Sequence, residues 1–124
     1  MLARRHRLVS SRTFSSTVRR GSRAGTGTLV IHLATASRER TSPPSPIEIG
    51  FVVSKAVGPA VTRNAVKRRL RHIARERLSS LPGSSALVVR ALPASTSASY
   101  ATLRDDFDAA VARAIRDQDA GGRA

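Results

Sequence analysis

Cysteine is absent from this chain of 124 residues, and its absence excludes disulfide bonds and metal sites built on thiolates. Long apolar runs are missing as well, since no stretch approaches the roughly 18–20 apolar residues that a membrane-spanning helix needs. The N-terminus MLARRHRLVSS is basic but is not followed by an apolar stretch, so it lacks the pattern of a secretory signal. An amphipathic transit peptide is the alternative for this segment, although Leu8 and Phe14 are more simply interpreted as core residues. We expect a cytoplasmic protein that makes no contact with a membrane.

Acidic residues are scarce over most of the chain, which argues against a catalytic site made of protein side chains. Only Glu39, Glu48 and Glu76 precede Asp105, and no two of them stand at a helix or strand spacing. A two-metal nuclease site needs clustered carboxylates. The aspartates that begin at Asp105 fall in the first half of a predicted helix, where they favour the helix dipole. The sequence therefore predicts neither catalytic residues nor a metal site.

Aromatic residues make up only 3% of the chain, which argues against an aromatic stacking platform for nucleic acid. Positive charge, by contrast, is abundant, and the formal net charge of +14 is typical of nucleic-acid binders. Residues 1–104 carry 19 Lys and Arg against 3 acids (+16), whereas residues 105–124 carry 3 against 5 (−2). The basic part is therefore expected to face a polyanionic partner.

The stretch VTRNAVKRRLRHIARER, Val61–Arg77, holds eight basic residues if His72 is counted. At 100° per residue, Val66, Leu70 and Ile73 share one face of a helix. The opposite face carries Asn64, Lys67, Arg68, Arg71 and Arg75. A disordered basic tail has no reason to keep this period. The pattern predicts a helix that docks on a core and presents a fixed array of charge, for which a polyanion is the compensating partner.

The other elements follow from hydrophobic periodicity and from the residues at segment ends. Before the basic helix the sequence first predicts a helix, which is capped by Ser10 or Ser11 and ended by a left-handed Gly21. A strand over Gly27–Ala34 and a loop over Ser37–Pro46 follow. The next strand, over Ile47–Ser54, is predicted to be central in the sheet and is long enough to leave room for a strand pair. The basic helix begins at Pro59 or after Thr62 and ends near Leu78, and a strand over Ala86–Leu92 and a helix from Tyr100 to about Arg116 follow it.

This order of elements favours an α/β (α+β) two-layer sandwich, in which helices pack on a small sheet. The length suits a single RNA-binding domain over residues 1–118, followed by a disordered C-terminal tail over residues 119–124. A helix-turn-helix reader of DNA needs a second helix close to the basic one, whereas here the flanking segments are predicted strands. An arginine-rich helix on such a sheet fits RNA better. A basic ribosomal protein is the main alternative, and a DNA-binding module is a more distant one.

Three segments fall in the order and spacing of the protein subunit of bacterial ribonuclease P. They are RRHRLVSSRTF near the start, IGFVVSKAVGPAVTRNAVKRRLRHIARE (Ile49–Glu76), and ALVVRALPAS. The middle segment is the specific one, with a strand ending in Val-Ser-Lys, a Val-Gly turn, and Arg-Asn and Lys-Arg at fixed offsets. The chain resembles that family over nearly its whole length. The resemblance implies an α-β-β-β-α-β-α domain whose strand–basic helix–strand crossover is left-handed, an exception to the usual right-handed rule.

The resemblance also implies a ribonucleoprotein that removes the 5′ leader from precursor tRNA. Its large RNA subunit supplies the active site and holds most of the Mg²⁺ on which cleavage depends. The protein subunit, itself non-catalytic, is implied to help the RNA fold and to hold the leader in a cleft between the sheet and the first and basic helices. The implied partners are the ribonuclease P RNA subunit and the precursor tRNA leader, with no protein partner.

By position, the basic-helix motif of the family matches Arg63, Asn64, Lys67, Arg68 and Arg71, which the resemblance implies to be RNA contacts. Ala65 stands where the family usually has an arginine. Arg69 and the N-terminal arginines are expected to compensate for that missing side chain, so Arg69 joins the predicted RNA-binding residues.

Phe14, Val18, His32 and Lys55 match the family's leader-binding cleft, with Val18 and His32 at positions where an aromatic residue is common. Without the resemblance, Phe14 and Val18 are more simply interpreted as core residues. Arg90 lies one residue before the usual basic position of its strand. Because one step along a strand reverses the face on which a side chain lies, Arg90 is not expected to contribute to the cleft.

Overall fold

The computed structural model describes residues 2–8, 11–35 and 46–121. These residues form helices α1 (Ser11–Arg20), α2 (Ala60–Glu76) and α3 (Tyr100–Gly121), and strands β1 (Ser22–Gly25), β2 (Leu29–Thr35), β3 (Glu48–Val52) and β4 (Ser85–Ala91). Short 3₁₀ turns lie at Arg4–His6, Leu78–Ser80 and Pro93–Thr96. The mixed α+β class and the α-β-β-β-α-β-α order are confirmed. The loop predicted over Ser37–Pro46 lies outside the described residues except for Pro46.

The four strands form one sheet in the order β1-β2-β4-β3. β1 and β2 make an antiparallel hairpin, β2 and β4 are antiparallel, and β3 and β4 are parallel neighbours joined through α2. The hand of this β3–α2–β4 crossover stays a prediction. β3 lies at the edge, so the predicted central position is wrong. Its outer edge is covered by the N-terminal segment, in which Leu8 N–H donates to Ile49 C=O at 3.0 Å, and this cover lets an edge strand be apolar on both faces.

The main core lies on the face of the sheet that α2 and α3 cover. Alternate strand residues such as Ile31, Leu33 and Leu87 are buried there in one cluster with Leu70 of α2 and Phe107 of α3. The opposite face is crossed by α1, which contacts β2 and β4. One helix covers less area than two, so parts of this second face, called here the α1 face, stay open.

The predicted phase of the basic helix is confirmed. Val66, Leu70 and Ile73 are 1%, 0% and 0% exposed, while Arg68 and Arg71 are exposed. The helix begins at Ala60, directly after Pro59, which is the first of the two predicted starts. It ends at Glu76, and a 3₁₀ turn takes up Leu78.

Two local differences from the prediction concern the end of α1. Gly21 is not left-handed, since its φ lies outside the positive range. Glycine is needed there for space, because a Cβ would stand 2.5 Å from the carbonyl oxygen of Thr17 and 2.6 Å from that of Leu33. The local pattern does not indicate β1, because its residues Ser-Arg-Ala-Gly carry little β-propensity. The third strand that the resemblance implies lies here, paired with β2, and not within Ile47–Ser54, which forms the single strand β3.

The last helix is longer than predicted. It reaches Gly121 instead of about Arg116, and its C-terminal part is tied to β1. Ser22 Oγ–H donates to Ala114 C=O at 2.7 Å, and Ser22 N–H donates to Gln118 Oε1 at 3.4 Å. Residues 122–124 of the predicted tail lie outside the described residues, and the domain boundary at residue 118 stays a prediction.

Candidate RNA interface

The basic side of α2, called here the arginine face, consists of Arg63, Asn64, Lys67, Arg68 and Arg71. Asn64, Arg68 and Arg71 are exposed, and Arg63 and Lys67 are half-buried. The buried side of the same helix holds the backbone in place, so these side chains project from a rigid support. Arg63 Nε–H donates to Gly58 C=O at 3.1 Å, which ties this guanidinium to the turn before the helix.

Arg69 lies on the other flank of α2, toward α3. Its Nη1 atom donates to Ala98 C=O at 3.4 Å, and the side chain stays exposed. Ala65 lies one helical turn earlier on this flank. Arg69 therefore adjoins the position of the missing arginine, but the structure does not bring it together with Lys67.

The flank toward α3 also contains the acid of this helix. Tyr100 Oη–H donates to Glu76 Oε1 at 2.5 Å, and His72 Nε2 lies 3.5 Å from the same oxygen. The hydrogen bond from Tyr100 lowers the pKa of Glu76, and burial together with this bond raises the pKa of Tyr100 to about 12. Glu76 is thus engaged by α3 and does not neutralise the arginine face.

Ion pairs among the described residues leave the arginine face without a carboxylate partner. They join Arg77 to Asp108 and Arg104 to Asp105, and the contact of His72 with Glu76 joins them when the imidazole is protonated. Uncompensated like charges on one rigid helix repel each other, and a polyanion relieves this repulsion.

The α1 face brings together residues from all four strands. In the register of the sheet, Arg23 pairs with His32, His32 with Val88, and Val88 with Gly50. Phe14 lies over the end of this row, since its Cε2 atom is 3.1 Å from where a Cβ on Gly50 would stand. Two predicted cleft residues, Phe14 and His32, therefore lie on the same face of the sheet.

Phe14 and Val18 of α1 are both half-buried. Lys55 is exposed in the turn after β3, three residues beyond Val52. Within the described part of the chain, no hydrogen bond or ion pair joins the Lys55 side chain to His32 or to the two α1 residues. The structure therefore places Phe14 and Val18 on α1, His32 on the sheet face that α1 crosses, and Lys55 in the turn after β3.

His32 is only 7% exposed, and its Nδ1 atom has no hydrogen-bond partner. Burial lowers the pKa of His32, and the positive charges of Arg23 and Arg90 lower it further. The imidazole is consequently neutral at pH 7. It adds an aromatic surface between two cations without adding a third charge.

A family model described as Ribonuclease P matches residues 2–115 of the chain. The chain belongs to the ribonuclease P protein family. It is 53% identical over 113 residues to the ribonuclease P protein component of Nocardioides sp., a match that covers 91% of this chain and 94% of that protein. The corresponding protein of Streptomyces bikiniensis is 49% identical over 118 residues, and the match covers 93% of this chain and 96% of that protein.

Solved structures of ribonuclease P proteins share the fold. The Thermotoga maritima protein matches with a TM-score of 0.72 and 22% identity, over 88% of this chain and 97% of that chain. A mutant of the Staphylococcus aureus protein, described as defective in mRNA degradation activity, matches with a TM-score of 0.76 and 19% identity. The match covers 89% of this chain and 88% of that chain. At these identities the likeness concerns the fold alone.

Membership of the ribonuclease P family carries a role in the 5′ processing of tRNA and an association with the ribonuclease P RNA and the tRNA substrate. A basic ribosomal protein, the main alternative, is not favoured. In the described part of the chain, no helix is long and apolar enough to cross a bilayer.

Arg90 also lies on the α1 face, although it stands one residue before the usual basic position of the ribonuclease P family. It is exposed and pairs with Val30 and Val52 in the register. Two residues after Val88, it lies on the same face as His32. The expectation that the one-residue offset turns Arg90 to the other face of the sheet is therefore wrong, whereas its part in the cleft stays a prediction. The alternation of buried Leu87 and Val89 with Arg90 was the sequence signal that indicates its face.

Proposed function

We propose that the chain is the non-catalytic protein subunit of a ribonuclease P whose RNA subunit holds the active site. The arginine face of α2 binds the RNA subunit, and the 5′ leader of precursor tRNA lies along the α1 face, against Phe14, Val18 and His32. The observation that carries the proposal is the rigid arginine face, whose cations have no carboxylate partner among the described residues. RNA phosphates supply the missing negative charge.

Mg²⁺ is assigned to the RNA subunit in this proposal. The ion takes oxygen ligands, chiefly carboxylates and phosphates. Residues 1–104 contain 3 acids, and the described residues include no group of three or more His, Asp or Glu side chains that suits a metal ion. The described residues therefore do not fit a protein-bound Mg²⁺. A cytoplasmic location, without a membrane or a further protein partner, belongs to the same proposal.

The test is reconstitution of the purified full chain with the ribonuclease P RNA subunit. At low Mg²⁺, adding the protein should restore cleavage of precursor tRNA by the RNA, because cations on the arginine face replace part of the screening that Mg²⁺ provides. The single variants Lys67→Ala and Arg71→Ala should each restore less, while Arg116→Ala, at an exposed arginine of α3, is the control that also removes one charge. No stimulation by the intact protein, or recovery of ribosomal RNA when it is isolated from cells, would contradict the proposal.

A further inference from the structure

A groove of about 360 Å³ opens at the outer edge of β3, between the N-terminal segment, β3 and α2. Its volume is at the small end of the roughly 300–1,000 Å³ that ligand sites occupy. The groove therefore has room for one small molecule or one residue of a polymer.

The inner part of the groove is apolar. Leu2 is 3% exposed and belongs to the main core, and Leu8 is held against β3 by its backbone hydrogen bond to Ile49. Phe51 is half-buried, so part of its surface lines the groove. An aromatic side chain at this edge offers a surface on which a planar group can stack.

The rim of the groove is cationic. Lys67 and Arg71 lie one turn apart on α2, and Arg7 comes from the N-terminal segment, where its Nε–H donates to Leu2 C=O at 3.2 Å. No acidic residue is among the described residues that line the groove, and none of the three cations takes part in the ion pairs of the described chain.

The groove combines an apolar aromatic wall with three cations that have no carboxylate partner. It therefore matches a ligand that has one planar part and one anionic part. An inorganic phosphate would leave Phe51 uncovered, and a wholly apolar ligand would leave Arg7, Lys67 and Arg71 unpaired. A nucleotide satisfies both parts, because every base has a face that can stack and phosphates pair with arginine and lysine.

The groove also lies between the two candidate RNA surfaces. Lys67 and Arg71 belong to the arginine face, and a Cβ on Gly50, which lines the groove, would stand 3.1 Å from Phe14 Cε2 on the α1 face. We propose that the groove is a nucleotide-binding site, which holds one unstacked nucleotide of an RNA strand with its base against Phe51 and its phosphates at Arg7, Lys67 and Arg71. The choice of RNA as the source of this nucleotide rests on the proposed function.

The site itself is tested on the free full chain, without any RNA. Adenosine 5′-monophosphate, adenosine and inorganic phosphate are titrated in parallel, and the backbone amide NMR shifts of Gly50, Phe51 and Lys67 are followed. The monophosphate should bind at least several-fold more tightly than either fragment. Phe51→Leu should weaken its binding on the order of tenfold by removing stacking, whereas Phe51→Tyr, which keeps the aromatic ring, is the control and should retain it.

Equal affinities for the monophosphate and for inorganic phosphate, or no effect of Phe51→Leu in a folded variant, would overturn the site. The source of the nucleotide is tested next, by measuring assembly of the Phe51→Leu and Phe51→Tyr proteins with the RNA subunit. Weaker assembly of Phe51→Leu alone supports an RNA nucleotide. Unchanged assembly, with monophosphate binding lost, identifies a free nucleotide as the occupant and overturns the RNA assignment. Failure of the wild-type chain to bind the RNA subunit would contradict the proposed function. The titration with the monophosphate would still show whether the groove binds a nucleotide.

Discussion

His32 sits on the α1 face of the sheet, buried and with Nδ1 unpartnered, between the charges of Arg23 and Arg90. Burial and these charges lower the pKa of His32 from its ordinary value of 6.5. The unfolded chain therefore takes up a proton at a higher pH than the folded chain. The free energy of unfolding should fall as the pH drops below 6.5, until the folded imidazole is protonated too.

We expect His32→Leu to remove this pH dependence. Chemical denaturation of the free protein between pH 7.5 and pH 5 should show a steeper loss of stability in wild type than in the variant. Parallel slopes in wild type and His32→Leu would mean that the buried imidazole does not respond to pH as inferred.

Gly21 is a second residue at which the surroundings dictate the side chain. Gly21→Ala should destabilise the protein by about 1–3 kcal/mol, because the new Cβ would overlap two backbone oxygens that belong to α1 and β2. The matched control is Gly27→Ala, where nothing lies within 4 Å of the added atom. Thermal or chemical unfolding of both variants measures the difference, and equal stabilities would show that the backbone yields without cost.

At the scale of an element, the buried side of α2 contributes to stability and its exposed side is the predicted binding surface. Leu70→Ala removes a fully buried side chain from the core and should lower the free energy of unfolding by about 2–5 kcal/mol. Chemical denaturation measures this loss. The comparison is Arg68→Ala, on the exposed side of the same helix, which should unfold nearly like wild type. A small effect of Leu70→Ala would mean that the core under α2 collapses to fill the space.

Binding should depend on the opposite side of the same helix. Lys67→Ala and Arg71→Ala should leave the fold intact, and each should weaken binding of the RNA subunit by roughly 1.5–3 kcal/mol where the phosphate contact is well formed, less where solvent screens it. Affinity is measured by filter binding with circular dichroism as the check of folding. Arg116→Ala provides the matched loss of one exposed arginine from α3. Unchanged affinity in both α2 variants would mean that the arginine face does not bind the RNA subunit.

For the whole molecule, the excess of positive charge predicts a steep dependence of RNA binding on salt. If about five phosphates are neutralised, log K should fall with log[salt] at a slope on the order of −3.5 to −4.5. The slope should become shallower by about 1.4–1.8 when both Lys67 and Arg71 are replaced by alanine. A nearly flat dependence in wild type would mean that phosphate contacts do not dominate the interface.

Discrimination of substrates is also a property of the assembled particle. Phe14→Leu preserves an apolar side chain against Gly50 but removes the aromatic ring from the α1 face. Binding of precursor tRNA to the reconstituted enzyme should weaken, and binding of mature tRNA should not, because the leader is present in one and absent from the other. Equal losses for both tRNAs, or a large loss of stability of the free protein, would mean that Phe14 is a core residue and does not line the leader-binding cleft.

Local patterns in the sequence by themselves determined a substantial part of this protein. The 3.6-residue period of Val66, Leu70 and Ile73 predicted which side of α2 is buried, and the opposite side then followed from the geometry of one helix. The order of the helices and of most strands followed similarly, since periodicity and end residues are properties of neighbours in the chain. The family pattern added Phe14 and His32, which the structure places on one face, although their roles remain predictions.

Only the tertiary structure decided what depends on the pairing of distant segments. The strand order puts β3 at the edge, although its composition is that of a central strand, because the N-terminal segment covers it. The register of β2, β4 and β3 brings Arg90 beside His32, and the close approach of Leu33 to the end of α1 requires glycine at residue 21. The groove at β3 likewise needs Arg7, Phe51 and Arg71 from three elements. No local pattern encodes such meetings, because each is set by the free energy of packing the whole chain.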